Sequence, residues 1–261
     1  MRTFVLLAFL IAMMLLIAPL RQAVAQKEDR VMGALARLYV IRRDGDTWRN
    51  FLEVSSFFVD EQGTTLTSGF VARPIRERPD TYRIIAIREG ALFGATLVCA
   101  PIVPRKPRPL SDDELEKEIA VVRLMELDLA LDTWRYMPAG GQPVIIARKH
   151  RGRLPTFQPL VIGDDPREGD RVRIAAYGRL LQLKPVPEPW SAGGQVTRVF
   201  KSASGLPIFA ADIGSAHVNW IDGSVIVQAD GRVAGLSLWD RSGPPAEVLS
   251  VSASALREPC Q

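Results

Sequence analysis

Histidine and cysteine each occur only twice in 261 residues. Two histidines exclude most histidine-based metal sites, and two cysteines exclude a disulfide-dense scaffold. A large excess of one charge is also missing. The net charge is +4, and setting aside the first 25 residues, with Arg2 and Arg21, leaves 31 basic against 29 acidic residues. That balance gives no argument for a nucleic-acid partner, and none is expected. The chain has no glycine-rich phosphate loop, no CxxC and no HExxH, so no metal and no cofactor is expected. Long helical patterns are scarce as well.

Apolar residues make up 47% and charged residues 24%, which is globular composition and excludes a disordered or collagen-like chain. Glycine (20) and proline (19) are frequent and favour turns. Short apolar runs bounded by turn residues recur. Leu35–Ile41, Val54–Val59, Thr64–Phe70, Tyr82–Ile87, Ala95–Cys99 and Ile119–Leu124 read as strands. Pro143–Ala147, Arg171–Tyr177, Gln195–Phe200, Ile208–Ile213, Val225–Gln228 and Arg232–Trp239 continue the series. Asp44-Gly45, Gln62-Gly63, Gly193-Gly194 and Asp230-Gly231 are expected to supply turns with positive φ. Ser111–Glu114 suits a short helix or a solvated loop, and Val248–Leu256 reads as a final short helix weakened by its serines. Pro101–Pro109 and Lys184–Pro189 read as extended loops. A dozen short strands predict an all-β sandwich or barrel. The weakly patterned middle, about residues 125–160, reads as a connection between two halves.

Arg2, an uncharged stretch from Phe4 to Leu20 and an Ala23-Val24-Ala25 end describe a secretory signal peptide cut after Ala25. An uncleaved membrane anchor is the competing reading. Either way a periplasmic or secreted location is expected for residues 26–261. There Cys99 and Cys260 are candidates for one disulfide tying the C-terminus to the body, with two separate thiols as the alternative.

Four segments, in order, resemble the bacterial trypsin-like serine protease family. Ser55–Val71 (SSFFVDEQGTTLTSGFV) is similar to the strand–turn–strand that ends in T-x-A-H. Glu118–Leu124 (EIAVVRL) resembles D-I-A-V-L-R-L. Leu160–Asp164 (LVIGD) with Glu168–Gly178 (EGDRVRIAAYG) resembles the entry into the family's second barrel. Ile221–Leu236 (IDGSVIVQADGRVAGL) is similar to G-N-S-G-G-P-V-x-x-x-x-G-x-V-V-G-I. The resemblance implies two six-stranded antiparallel β-barrels. The expected divisions are a signal peptide or anchor at 1–25, a first barrel at 26–130, a linker at 131–160, and a second barrel with a C-terminal tail at 161–261.

The departures from the family pattern concern the catalytic triad. In the family a histidine takes the proton from a serine hydroxyl, and an aspartate orients that histidine. Phe70 stands at the histidine position, and a phenyl ring accepts no proton. Glu118 stands at the aspartate position. Asp222 stands at the serine position, with Gly223 or Ser224 as alternatives because hairpin lengths vary. His150 and His217 both lie outside the segment that must carry the base. Phe70 is therefore expected to pack as a plain aromatic in the emptied cleft. Glu118 and Asp222 are either a facing carboxylate pair or two separately solvated acids.

The expected function is that of a triad-less protease homologue, a non-catalytic scaffold that binds a protein or peptide. The resemblance implies a peptide strand along Gly235–Trp239, at Gly235, Ser237, Leu238 and Trp239. The basic run Arg148, Lys149, Arg151 and Arg153 is a second candidate surface, for an acidic partner or an anionic membrane, or else a solvated loop. The alternative function is an active hydrolase with a rearranged site using Ser224 or the Glu118/Asp222 pair.

Overall fold

A computed structural model describes residues 26–100, 119–137, 141–180, 188–202, 205–214, 218–219, 222–238 and 247–259. The signal-peptide segment, Glu118, His217, Trp239 and Cys260 lie outside the described residues. Among the described residues no helix is long and apolar enough to cross a membrane.

Two closed six-stranded antiparallel barrels make up the molecule, an arrangement consistent with a chymotrypsin-like fold. The first contains β1 (Leu35–Asp44), β2 (Thr47–Phe58), β3 (Thr64–Ser68), β4 (Tyr82–Arg88), β5 (Ala91–Cys99) and β6 (Ile119–Met125). Its strand order is β4-β1-β2-β3-β6-β5, and β5 closes on β4. A hairpin of β7 (Thr133–Tyr136) and β8 (Val144–Lys149) joins the outside of β5 through a short parallel pairing. The second barrel contains β9 (Arg171–Leu180), β10 (Glu188–Lys201), β11 (Pro207–Asp212), β13 (Val225–Gln228), β14 (Val233–Ser237) and β15 (Glu247–Ser252), with β12 (Val218–Asn219) added to β9. Its order is β10-β11-β15-β14-β13-β9, and β9 closes on β10. Three short helices are described: α1 (26–33), α2 (Ala72–Glu77) and α3 (Ala253–Leu256).

The alternation of side chains along β1 explains why its apolar run is unbroken. Ala36, Leu38 and Val40 point into the first barrel with Phe93 and Leu124. Tyr39 and Ile41 point outward, where Trp134 and Ala147 of the β7–β8 hairpin cover them. Each large aliphatic side chain buried this way contributes about 1.5–3 kcal/mol. Arg37 shares the covered outer face at 2% exposure. Its guanidinium pairs with Glu53 and lies 4.6 Å from the Tyr39 ring centroid. Burial with those partners is what makes a cation tolerable there.

Residues 157–163 strap the barrels together. Phe157 stacks on Phe58 at 4.4 Å and plugs the first barrel. Leu160 N–H donates to Phe58 O, and Gly163 N–H donates to Val233 O in the second barrel. Between the barrels, Leu35, Phe57 and Leu66 of the first pack against Val225, Leu236 and Val251 of the second. This continuous apolar seam joins the two units into one core.

Four expectations are corrected. Val248–Leu256 forms β15 and only then one helical turn. Its serines fit a strand because Gly235 lets β15 approach: a Cβ there would lie 2.3 Å from Val251 O. The run from Thr64 ends as a strand at Ser68, and Gly69–Val71 form a 3₁₀ turn. Gly193 and Gly194 sit inside β10 and make no turn, and a Cβ on Gly194 would meet Asp212 O at 2.5 Å. The middle of the chain carries the β7–β8 hairpin. Gly45, Gly63 and Gly231 do have positive φ, as expected.

Candidate functional site

The first barrel contributes the end of β3 and the turn after it. Ser68 pairs with Ile119, the first residue of β6. The Ser68 side chain accepts from Phe70 N–H at 3.4 Å and caps the 3₁₀ turn. Val71 and Ala72 are fully buried and anchor that turn, while Phe70 is half-buried.

The second barrel contributes the Asp222-Gly223-Ser224 turn ahead of β13. Ser55 N–H, on β2, donates to Asp222 O at 2.8 Å. Thr67 Oγ1, on β3, donates to Ser55 O at 2.6 Å. Gly223 has φ +72°, and a Cβ there would fall 2.1 Å from Ser55 O and 2.6 Å from Thr67 Oγ1. Glycine is required by the backbone angle and by this approach together. The Asp222-Gly223-Ser224 turn therefore rests on β2 and on β3, the strand that ends two residues before Phe70.

Inside the second barrel the turn is fixed by β14. Ser224 N–H donates to Ser237 Oγ at 2.9 Å, and Ser237 N–H donates to Ser224 O at 2.8 Å. Ser224 is fully buried, and its Oγ has no hydrogen-bond partner among the described residues. The Oδ1 atom of Asp222 is also buried. Of the two imidazoles, His150 is described. Its Nε2 lies 3.0 Å from Arg153 O, and its ring packs 4.9 Å from Phe93 on the first barrel. No imidazole among the described residues meets a serine hydroxyl.

Ser55 adds a second link between the barrels, which the sequence reading missed. Its hydroxyl donates to Tyr177 O at 3.1 Å and accepts from Tyr177 N–H at 2.9 Å. Burial pushes the Tyr177 phenol above its ordinary pKa, and the charge of Glu89 adds to that, against the pull of Arg88 and Arg37.

The candidate peptide-binding strand is enclosed. Gly235 pairs with Ile226 on one side and Ser252 on the other. Ser237 pairs with Ser250, and Leu238 N–H donates to Leu249 O. All three residues are buried. Among the described residues, 235–237 thus have strand partners on both sides and present no main-chain edge to an added strand. The basic run divides: Arg148, Arg151 and Arg153 are exposed, while Lys149 turns its Nζ to Leu129 O at 3.3 Å. Arg151 faces Asp132 at 3.8 Å.

The open feature beside Phe70 lies on the first barrel. A cavity of about 380 Å³ is lined by Phe51, Leu52, Phe70, Pro74 and Tyr82, with Arg73, Glu77 and Arg78 at its polar side. Phe70 therefore borders an apolar cavity of its own barrel, where the sequence reading expected it to fill the cleft. Phe51 is 51% exposed and meets Tyr82 edge-on at 4.9 Å. Apart from Phe70 none of these residues stood out in the sequence; the signals available were an aromatic at an exposed strand position and an Arg73/Glu77 pair at helical spacing. Among the described residues no group of three histidine, cysteine or acidic side chains is placed to hold a metal.

No family model matches the chain, and no curated protein is similar to it.

Proposed function

We propose that this chain is a trypsin-like serine protease homologue without a catalytic triad, a non-catalytic scaffold that binds a protein or peptide outside the cytoplasm. The observation that carries the reading is Phe70. It sits in the turn after β3, close in sequence to Thr67, which with Ser55 packs against Gly223 of the second barrel. That is the junction at which the family joins base and nucleophile, and here its base position holds a hydrocarbon ring. The complete burial of Ser224 supports the same reading, because a nucleophile must reach its substrate.

With the 235–237 edge occupied, the partner engages the first-barrel face around Phe51 and Phe70. The exposed Arg148, Arg151 and Arg153 offer an additional contact for an acidic partner or an anionic lipid surface. The test is incubation of the purified protein with denatured casein, followed by mass spectrometry of the products. The reading predicts intact casein, and cleavage that disappears in Ser224→Ala would overturn it.

A further inference from the structure

We infer that the cavity beside Phe70 captures the C-terminal residue of a polypeptide, taking a large apolar side chain with its free carboxylate. The inference rests on the scaffold reading and names the ligand of that same face.

The cavity has two kinds of wall. Phe51, Leu52, Phe70, Pro74 and Tyr82 make one side apolar and largely aromatic. Phe51 stands 51% exposed and adds an accessible apolar ring to that side. The other wall is cationic. Arg73 pairs with Glu77 at 2.9 Å, so those two charges offset each other. Arg78 lines the same cavity, and its side chain makes no hydrogen bond or ion pair among the described residues. Its backbone is held by Arg78 N–H donating to Pro74 O, which fixes where the guanidinium starts. The net charge at the polar rim is positive, and a planar guanidinium fork matches a carboxylate with two parallel hydrogen bonds.

Size selects the occupant. About 380 Å³ lies near the lower end of ligand pockets, roughly 300–1,000 Å³. That holds one large side chain and its carboxylate. An apolar wall alone would accept many side chains. The lone guanidinium at its edge adds a requirement for a negative group directly beside the apolar one, and a chain end supplies both from a single residue. The energetic division follows from the same geometry. Apolar burial provides most of the affinity, and the charged hydrogen bonds provide the discrimination.

The experiment is fluorescence anisotropy with the purified protein and three labelled hexapeptides, ending in Phe with a free carboxylate, in Phe amide, and in Ala with a free carboxylate. The free-acid Phe peptide is expected to bind saturably, and the other two at least about tenfold more weakly, the loss of one charged hydrogen bond or of the apolar anchor. Arg78→Gln, at an exposed position, is expected to make the acid and amide peptides bind alike. Leu52→Glu is expected to abolish binding of all three. A free aryl carboxylate, 3-phenylpropionate, is expected to compete only at much higher concentration than the peptide. Equal binding of acid and amide by the unaltered protein, no binding of the acid peptide, or a preference that survives Arg78→Gln would overturn the assignment. Any of those results with casein still intact removes the cavity assignment and leaves the scaffold reading standing, whereas casein cleavage removes the scaffold reading itself.

Discussion

Ser55 on the first barrel donates its backbone N–H to the carbonyl oxygen of Asp222 on the second, at 2.8 Å. This bond joins the Asp222-Gly223-Ser224 turn to the β2–β3 strand pair that leads to Phe70. It holds only because Gly223 has no side chain, since a Cβ would lie 2.1 Å from Ser55 O at a φ of +72°. Gly223→Ala is therefore expected to destabilise the protein by about 3 kcal/mol, from backbone strain and a displaced interface. Chemical denaturation measures it. Unchanged stability would mean that the turn does not rest on β2 and β3.

The Ser55 hydroxyl both gives to and takes from the Tyr177 backbone. Ser55→Ala leaves those two Tyr177 groups without their partner at a mostly apolar seam. A loss of about 1–3 kcal/mol is expected. Hydrogen exchange should rise at Tyr177 while the interior strands of each barrel stay protected, because the change weakens the junction and neither core.

Acid should loosen α1. The Ser191 hydroxyl donates to Glu28 at 2.6 Å and, against some desolvation, acts with the charge of Arg173 to hold the Glu28 carboxyl below its ordinary pKa. A lowered folded value means that the stabilisation is complete above the ordinary glutamate range and is lost as pH falls through the folded value. Exchange protection of residues 26–33 is expected to fall on acidification in the unaltered protein. In Glu28→Gln it should be low and flat across the same range.

Cys99 ends β5, half-buried, and no cysteine among the described residues is a free thiol. With only one other cysteine in the chain, we expect Cys99 and Cys260 to be bridged. Iodoacetamide applied under denaturing conditions should add to neither cysteine without reductant and to both after reduction. Two alkylated cysteines without reductant would exclude the bridge.

The barrels are legible in the sequence wherever one strand face is apolar and the turn is punctuated. Val225–Gln228 followed by Asp230-Gly231 shows both signals, and the hairpin forms there. Reading fails where tertiary contact overrides local preference. Val248–Leu256 reads as a short helix that its serines weaken, yet it forms a strand in which Ser250 and Ser252 are buried against β14 where Gly235 clears the space. Gly193-Gly194 carries turn chemistry and lies in β10, because Gly194 is needed for close approach to Asp212. At the site, that Phe70 accepts no proton is visible from residue type alone. The cavity is not, because Phe51, Arg78 and Tyr82 meet only after β2, α2 and the start of β4 are packed together. The enclosure of Gly235, Ser237 and Leu238 likewise depends on β15, an element whose type the local sequence misstates.

The central claim is that this scaffold cannot activate a serine hydroxyl. The most direct measurement is labelling of the purified native protein with a fluorophosphonate probe, read by intact mass. The account predicts no adduct on the native protein and none on the Ser224→Ala variant. A stoichiometric adduct that maps to Ser224 and vanishes in Ser224→Ala would contradict it.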